Sequence, residues 1–556
     1  MNNDRLAAIA VLTAPGTDYE IVPGEVWGRP CRVFKNAPPT LRDLYQTARS
    51  GETFLVFEDE RFTFAQTNDR VAQIANILTD QFGVQKGDRV AISMRNFPEW
   101  VFAFNAATSI GAIAVAMNSL WLSDEMEFGL KDSGAKVLFA DQERLGRLAP
   151  VRGNLDLDVI SVRATNKPAN TFALEDLLAG DVSKLLPDVE IDPSDPATIL
   201  YTSGSTGHPK GAVSCHRNIV SALLSWELDG KVGLALTGLE APQLDFQIAA
   251  LLAVPLFHAT GSHAVMLASY RSQRKIILMY KWDVLEAQRL IEEEKVAVFI
   301  APAAMTGDLE RAARKSTRDL RSLQIVGGGG APRAPDQVKN IAETFKKALP
   351  NTGWGMTETN AIGAGIGGED YVHHPESSGR VSALLDLRVM DESGQELLPF
   401  ERGELQIRGV SIIKGYWGRE KANQDAFDGE WLRTGDVAYI DEEGYLYIVD
   451  RIKDLVIRGG ENIGCAEVEA GLLAHPQVRE ASVYAVPDDR LGEEVGATIF
   501  ADDGINEDEL RGFLVKHVAR FKIPRYLEIS SEPLPRIASG KIDKRQLREK
   551  FVSALA

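Results

Sequence analysis

The sequence predicts an α/β protein with a large N-terminal domain of layered β/α sheets, a small β subdomain, and a small C-terminal α/β domain. Three changes of texture predict it. Between Arg89 and Val326, short β-rich runs ("RVAISM", "IAVAMN", "KVLFAD", "DVISV", "KIILMY", "VAVFIA", "LQIVGGGG") alternate with helical patterns. That alternation is the signature of βαβ units stacked into sheets. From about Leu387 the runs shorten and pair across Gly-containing turns, as in "LRVMDESGQELL", "GELQIRG" and "VAYIDEEGYLYIVDR". After Arg451 come a helix over 466–474, a strand over 481–486, and a helix capped by Asn506 with Glu509 three residues on. The expected domains are 1–450, with the β subdomain at about 387–450, and 451–556.

Individual elements follow from local chemistry. Leu6–Leu12 is apolar but short, and Asp4 beside Arg5 leaves no net positive leader, so it reads as a short helix and not a signal core. Glu99–Ile110, just after Pro98, reads as a crossover helix. The most apolar stretch, 248–267, is interrupted by Pro255, His258, Gly261 and His263, which excludes a membrane span.

With 556 residues, 44% hydrophobic and 25% charged, the chain has the make-up of a soluble multidomain protein. A net charge of -18 and a pI near 5.1 disfavour nucleic acid or an anionic membrane as partner, because long-range repulsion opposes the encounter. The three cysteines, Cys31, Cys215 and Cys465, are widely spaced and odd in number. They point to buried free thiols in a reducing, cytoplasmic setting.

The strand-like "ATILYT" runs into "YTSGSTGHPKGAV", Tyr201–Val213, where glycines free backbone amides to converge, hydroxyls add donors and Lys210 adds a cation. Such a loop suits phosphate oxygens at the carboxyl end of a strand. Pro209 before the lysine and Gly211 after it exclude the common nucleotide-binding P-loop. A second glycine loop, "VGGGGAP" (Val326–Pro332), lets backbone approach a flat ligand, and "GWGMTET" (Gly353–Thr359) offers an aromatic, a hydroxyl and a carboxylate within a few residues.

These segments, with "PLFHATG" from Pro255, "GYW" from Gly415, "WLRTGD" from Trp431, "DRIKDLVIRGGENI" from Asp450 and "PRIASGKI" from Pro535, resemble the adenylate-forming superfamily of acyl-CoA synthetases, adenylation domains and luciferase-like enzymes. The resemblance spans nearly the whole chain. It implies an acyl-CoA synthetase-like fold with a mobile C-terminal domain. The implied activity is a ligase reaction in which a carboxylate attacks the α-phosphate of ATP and a thiol then displaces AMP. ATP, magnesium and coenzyme A are the implied cofactors.

By that resemblance Thr202, Ser203, Gly204, Ser205, Thr206, Gly207 and Lys210 hold the departing pyrophosphate, and Glu358 binds magnesium. Thr357 donates to the α-phosphate. Trp354, where relatives usually have Tyr, stacks adenine against Gly330, Ala331 and Pro332, with Gly355 and Met356 beside it. Asp436 accepts from the ribose hydroxyls, Arg451 contacts ribose or phosphate, and Lys541 is the catalytic lysine of adenylation. Lys453 occupies the hinge position, and Gly459 and Gly460 leave room for the pantetheine arm of CoA.

His258 resembles the residue gating the carboxylate pocket. Amino-acid-activating relatives carry Asp after the matching Phe, so Phe257-His258 disfavours an amino-acid substrate. The implied acyl pocket comprises His258, Ala259, Thr260, Gly261, Ser262, Gly328, Gly329, Asn360 and Ala361. These are mostly small, which suits a medium- or long-chain fatty acid or a bulky alicyclic, steroid side-chain or aromatic acid. The expected partners are a small-molecule carboxylic acid and CoA, with a homodimer as the candidate assembly. Transfer to a carrier protein or an amine, luciferase-like oxidation, and a nucleotide-binding protein without catalysis are the alternatives.

Overall fold

The computed structural model describes the chain apart from residues 1, 167, 203–208, 239, 241–243, 330–332, 334, 460, 503, 538–540 and 556. Among the described residues the strands form five sheets. The eight-stranded sheet is parallel from Pro196–Thr202 through Ile113–Ala116, Arg89–Ser93 and Val137–Asp141 to Asp158–Val162. The nine-stranded sheet also has a parallel centre, running from Leu349–Trp354 through Ile325–Gly327 and Val296–Ile300 to Ala249–Leu252 and Lys275–Leu278. Parallel strands covered on both faces read as continuous apolar runs, which is why the sequence located most of them.

Helices join these two sheets. In Pro98–Ser109 every residue except Glu99 is buried, as a helix that is apolar on all sides must be. One hydrophobic cluster links Val90 and Ile92 of the first sheet to Phe54 and Leu55 of the second through Ile74 and Trp100. Trp100 and Phe104 stack with centroids 5.1 Å apart. Burying such a ring contributes about 2–3 kcal/mol, so this helix layer fixes the spacing of the two sheets.

The glycine-rich loop joins Pro196–Thr202 to Lys210–Cys215, an antiparallel hairpin whose outer edge is extended by Gly415–Tyr416. The β subdomain has Leu385–Met390, Gly403–Gly409 and Trp431–Ile440 in antiparallel order, with Leu446–Arg451 against the last of them. It begins at Leu385, slightly before the expected position, and includes a short strand, Phe427–Asp428, absent from the sequence reading.

In the C-terminal unit, Val478–Asp488 and Gly492–Ala501 pair antiparallel, and Tyr526–Ser530 joins the latter in parallel. Helix Cys465–Leu473 packs on this sheet, and Asn506 caps Glu507–Leu514 by accepting from the Glu509 amide at 3.0 Å. Strand 478–488 outruns the expected 481–486 because its partner covers its whole length. Unforeseen elements are the hairpin Ile21–Val26/Arg29–Phe34 and the long helix His216–Thr237.

The apolar stretch 248–267 divides into strand Ala249–Leu252 and a π-helix, Thr260–Leu267. Among the described residues no helix is long and apolar enough to cross a membrane. All three cysteines are free. Cys215 and Cys465 are buried as expected, whereas Cys31 is half-buried.

Two histidines sit in the core. His216 accepts from the Leu41 amide at Nδ1 (3.2 Å), and His263 Nδ1 lies 2.9 Å from Ser262 Oγ. Burial pushes each down to about 4, so both rings are neutral in the fold. In the unfolded chain they titrate near about 6.5, so between those values the unfolded state binds more protons. The stability they carry is full above pH ~6.5 and is lost as pH falls toward 4. The urea unfolding midpoint should therefore drop between pH 6.5 and 5, and H263N should flatten that slope. A midpoint constant across the window would contradict the neutral assignment.

Candidate active site

The described candidate site residues gather at the carboxyl ends of strands Pro196–Thr202 and Leu349–Trp354 and share a cleft with Lys541 of the C-terminal unit. Thr202 pairs with Lys210 at the base of the glycine loop, and Thr202 Oγ1 donates to Lys210 O at 3.3 Å. The Lys210 Nζ lies 5.1 Å from the ring centroid of Tyr416, within cation–π reach. The Tyr416 hydroxyl in turn donates to Glu358 Oε1 at 2.8 Å. Burial and then the Glu358 charge hold the Tyr416 phenol well above its usual range, so it stays a donor.

Glu358 sits in the 3-10 turn Thr357–Thr359 directly after strand Leu349–Trp354, and is only 7% exposed. Its Oε2 has no partner among the described residues. A largely buried carboxylate with one oxygen left open toward the cleft suits a hard cation such as magnesium. Thr357, Gly355 and Met356 line the same cleft.

The Trp354 indole Nε1 donates to Asp436 Oδ2 at 2.8 Å, and Arg451 Nε lies 2.5 Å from Asp436 Oδ1. Asp436 and Arg451 face each other across adjacent strands, which fixes the ion pair by register. Burial raises the Asp436 pKa, opposed first by Arg451 and then by the indole donor. The Trp that replaces the usual Tyr therefore loses a hydroxyl but gains a hydrogen bond to the predicted ribose ligand.

Lys541 hangs on a turn closed by the bridge between Arg536 and Ile542 and by the Ile537 amide donating to Lys541 O at 2.9 Å. Its side chain still meets solvent along the cleft, but the walls enclose it. Burial and then Arg451 lower its pKa, while Asp436 and Glu358 pull it back up. His258 feels Lys541 as well; burial first, then that cation, push the imidazole down to about 4. The buried His258 Nε2 has no hydrogen-bond partner among the described residues, which leaves a polar atom for a ligand to satisfy. Lys453 is exposed at the cleft edge in the turn Ile452–Asp454.

From His258 an apolar wall continues along the π-helix through Ala259, Thr260, Ala264 and Ala268. Helix His216–Thr237 contributes Leu223, Trp226, Gly230 and Gly233 to the lining, together with Glu227, Asp229 and Lys231; a Cβ on either glycine would meet nothing within 4 Å. Gly328, Gly329 and Ala361 complete the expected lining. Gly329 is required for close approach, since a Cβ there would lie 2.4 Å from Gly353 O.

Three expected pocket residues do not line it. Gly261 is pressed against the preceding chain, where a Cβ would lie 2.4 Å from Pro255 O. Ser262 turns inward and donates to His258 O at 3.0 Å. Asn360 is fully buried in a left-handed turn (φ 56°) and donates to Ser411 O at 2.8 Å. Gly459 is exposed at a hairpin tip (φ 59°), bonded to Leu491 O at 2.8 Å, and lies outside the described cleft wall. Ser203, Gly204, Ser205, Thr206, Gly207, Gly330, Ala331, Pro332 and Gly460 fall outside the described residues.

Sequence reasoning gave no role to Tyr416, Trp226, Gly230 or Gly233. The two glycines left a usable signal, because each disfavours a helix interior by about 1 kcal/mol relative to Ala.

Comparison with known proteins identifies the family. The family described as AMP-binding enzyme covers residues 45–417, and the AMP-binding enzyme C-terminal domain covers 467–541. The chain is 33% identical over 502 residues to the long-chain-fatty-acid–CoA ligase FadD13 of Mycobacterium tuberculosis, covering 89% of this chain and 94% of that protein. It is 34% identical over 494 residues to a feruloyl-CoA synthase of Amycolatopsis, covering 88% and 94%. Among solved structures, the anthranilate CoA ligase AuaEII in complex with anthranoyl-AMP superposes with a TM-score of 0.84 at 25% identity, covering 93% of this chain and 98% of the other. The chain belongs to the AMP-binding enzyme family, in its adenylate-forming acyl-CoA synthetase branch.

Proposed function

We propose that the protein is an ATP-dependent carboxylic acid–CoA ligase acting on a medium- or long-chain fatty acid or a comparably bulky hydrophobic acid. The observation that carries the reading is the convergence of Lys541, Glu358, Asp436, Arg451 and His258, whose Nε2 is unpartnered among the described residues, in one cleft. In the first half-reaction a carboxylate oxygen attacks the α-phosphorus of ATP, giving acyl-adenylate and pyrophosphate. In the second, the CoA sulfur attacks the acyl carbon, AMP departs, and the thiol proton goes to solvent.

Attack of an anion on a polyanion requires charge to be neutralised where it accumulates. Lys541 does this between carboxylate and α-phosphate, with Thr357 as a further donor. Lys210 and the hydroxyls of its loop hold the pyrophosphate. Asp436, fixed by Trp354 and Arg451, accepts from the ribose hydroxyls, and the Trp354 ring backs the adenine. Glu358 would hold magnesium, which when bound would neutralise phosphate charge. Neutral His258 presents a hydrogen-bonding nitrogen to the acid without adding a charge to the apolar wall.

The C-terminal unit, 451–556, stands with Lys541 in the cleft and Gly459 outside it. Rotation about Lys453 exchanges them, bringing Gly459 and Gly460 to the pantetheine arm for the second half-reaction. Small residues in the lining, Ala264, Ala268, Gly230 and Gly233, support an extended or ring-bearing acid, and the relatives are named for acids from long-chain fatty acid to ferulate.

Mass-resolved products from ATP, magnesium and a panel of fatty, alicyclic, aromatic and amino acids, with and without CoA, test the reading. Acyl-CoA and AMP formed only when CoA is present are expected, and failure of every acid would count against it. K541A should slow acid-dependent pyrophosphate release by at least ~100-fold yet still convert supplied acyl-adenylate and CoA to thioester; wild-type adenylation would remove Lys541 from the mechanism. W354F deprives Asp436 of a charge-assisted hydrogen bond of about 1.5 kcal/mol, so calorimetry should show AMP binding roughly tenfold weaker. Unchanged affinity would show that Arg451 alone orients the carboxylate.

A further inference from the structure

Tyr416 stands between the two groups assigned to the triphosphate and belongs to neither assignment. Its hydroxyl is on Glu358 Oε1 at 2.8 Å, and its ring lies under the Lys210 Nζ at 5.1 Å. The residue is itself rigidly set. It pairs with Ala212 in the hairpin that carries the phosphate loop, and the next amide, Trp417 N, donates to Gly211 O at 2.8 Å. The Asn423 side chain clamps both its backbone groups, accepting from Tyr416 N at 2.6 Å and donating to Tyr416 O at 3.1 Å. A side chain held this firmly on a strand transmits position to whatever its tip touches.

We infer that Tyr416 is a positioning residue for the metal-bound nucleotide. Its hydroxyl commits Glu358 Oε1 and so turns Oε2 toward the magnesium, while its ring seats the Lys210 ammonium at a fixed distance from that carboxylate. The inference rests on the ligase reading for the presence of ATP and magnesium, and adds the group that registers the two charges against each other. An unanchored Glu358 would be free to rotate onto Lys210, neutralising both without any nucleotide. Outer-shell partners of this kind typically govern metal affinity by about 10–100-fold.

The test is calorimetric binding of a non-hydrolysable ATP analogue to the full chain across a magnesium series, which needs no turnover. Wild type should bind more tightly as magnesium rises. Y416F, which keeps the ring and removes only the hydroxyl, should need ~10-fold more magnesium for half of that gain, with metal-free affinity unchanged. Y416L should lose metal-free affinity as well, because the seat of Lys210 goes with the ring. N423A, which loosens the clamp without touching Glu358 or Lys210, should shift the magnesium curve in the same direction by a smaller factor and keeps the test open if Tyr416 variants fold poorly. Y416F or N423A on the wild-type magnesium curve would overturn the inference and leave the ligase reading standing. A wild-type protein whose analogue binding ignores magnesium would overturn both.

Discussion

The site depends on one buried carboxylate held at both oxygens. Asp436 is 2% exposed, with Trp354 on one oxygen and Arg451 on the other. An unpaired carboxylate at such depth would be protonated or would draw water in, so each contact is a condition for the next. Trp354 ends a strand of the nine-stranded sheet, Asp436 lies in the β subdomain, and Arg451 ends the strand Leu446–Arg451 beside it, where the C-terminal unit begins. The nine-stranded sheet and the β subdomain are thus tied at one charge, and Lys541 lies within electrostatic reach of both Asp436 and Arg451.

Around that anchor the protein alternates rigid framework with open volume. The interior helix Pro98–Ser109 sets the distance between the two large sheets, and the hairpin with its Gly415–Tyr416 edge strand sets the height of Lys210 and Glu358. The walls proposed to face the acid use alanine and glycine at Ala264, Ala268, Gly230 and Gly233, with Glu227, Lys231 and Arg271 near them in sequence and in the same lining. Burial holds the His258 imidazole down to about 4.

Much of this was legible in the sequence, for definable reasons. Parallel strands covered on both faces announced themselves as apolar runs, and Lys541, Glu358, Asp436 and Arg451 lie in segments whose wording resembles the family. Positions next to such landmarks were harder. Gly261 and Asn360 are neighbours of true lining residues, but a π-turn and a left-handed turn send adjacent residues to opposite sides, which no linear pattern reveals. Tyr416 was quoted only as part of a family segment, because its meaning comes from a contact with Glu358 across 58 positions of chain. The helix carrying Gly230 and Gly233 went unread for the opposite reason: glycines count against a helix when its partner surface is unknown.

Those two glycines carry an evolutionary consequence. A methyl group at either would touch no protein atom, so the fold gains no packing from their absence. Alanine would instead stabilise the helix by about 1 kcal/mol at each position. Drift under selection for stability alone would therefore fill the cleft one carbon at a time. Retaining the empty space runs against the helix's own preference, so room beside this helix should be quick to fill and slow to recover.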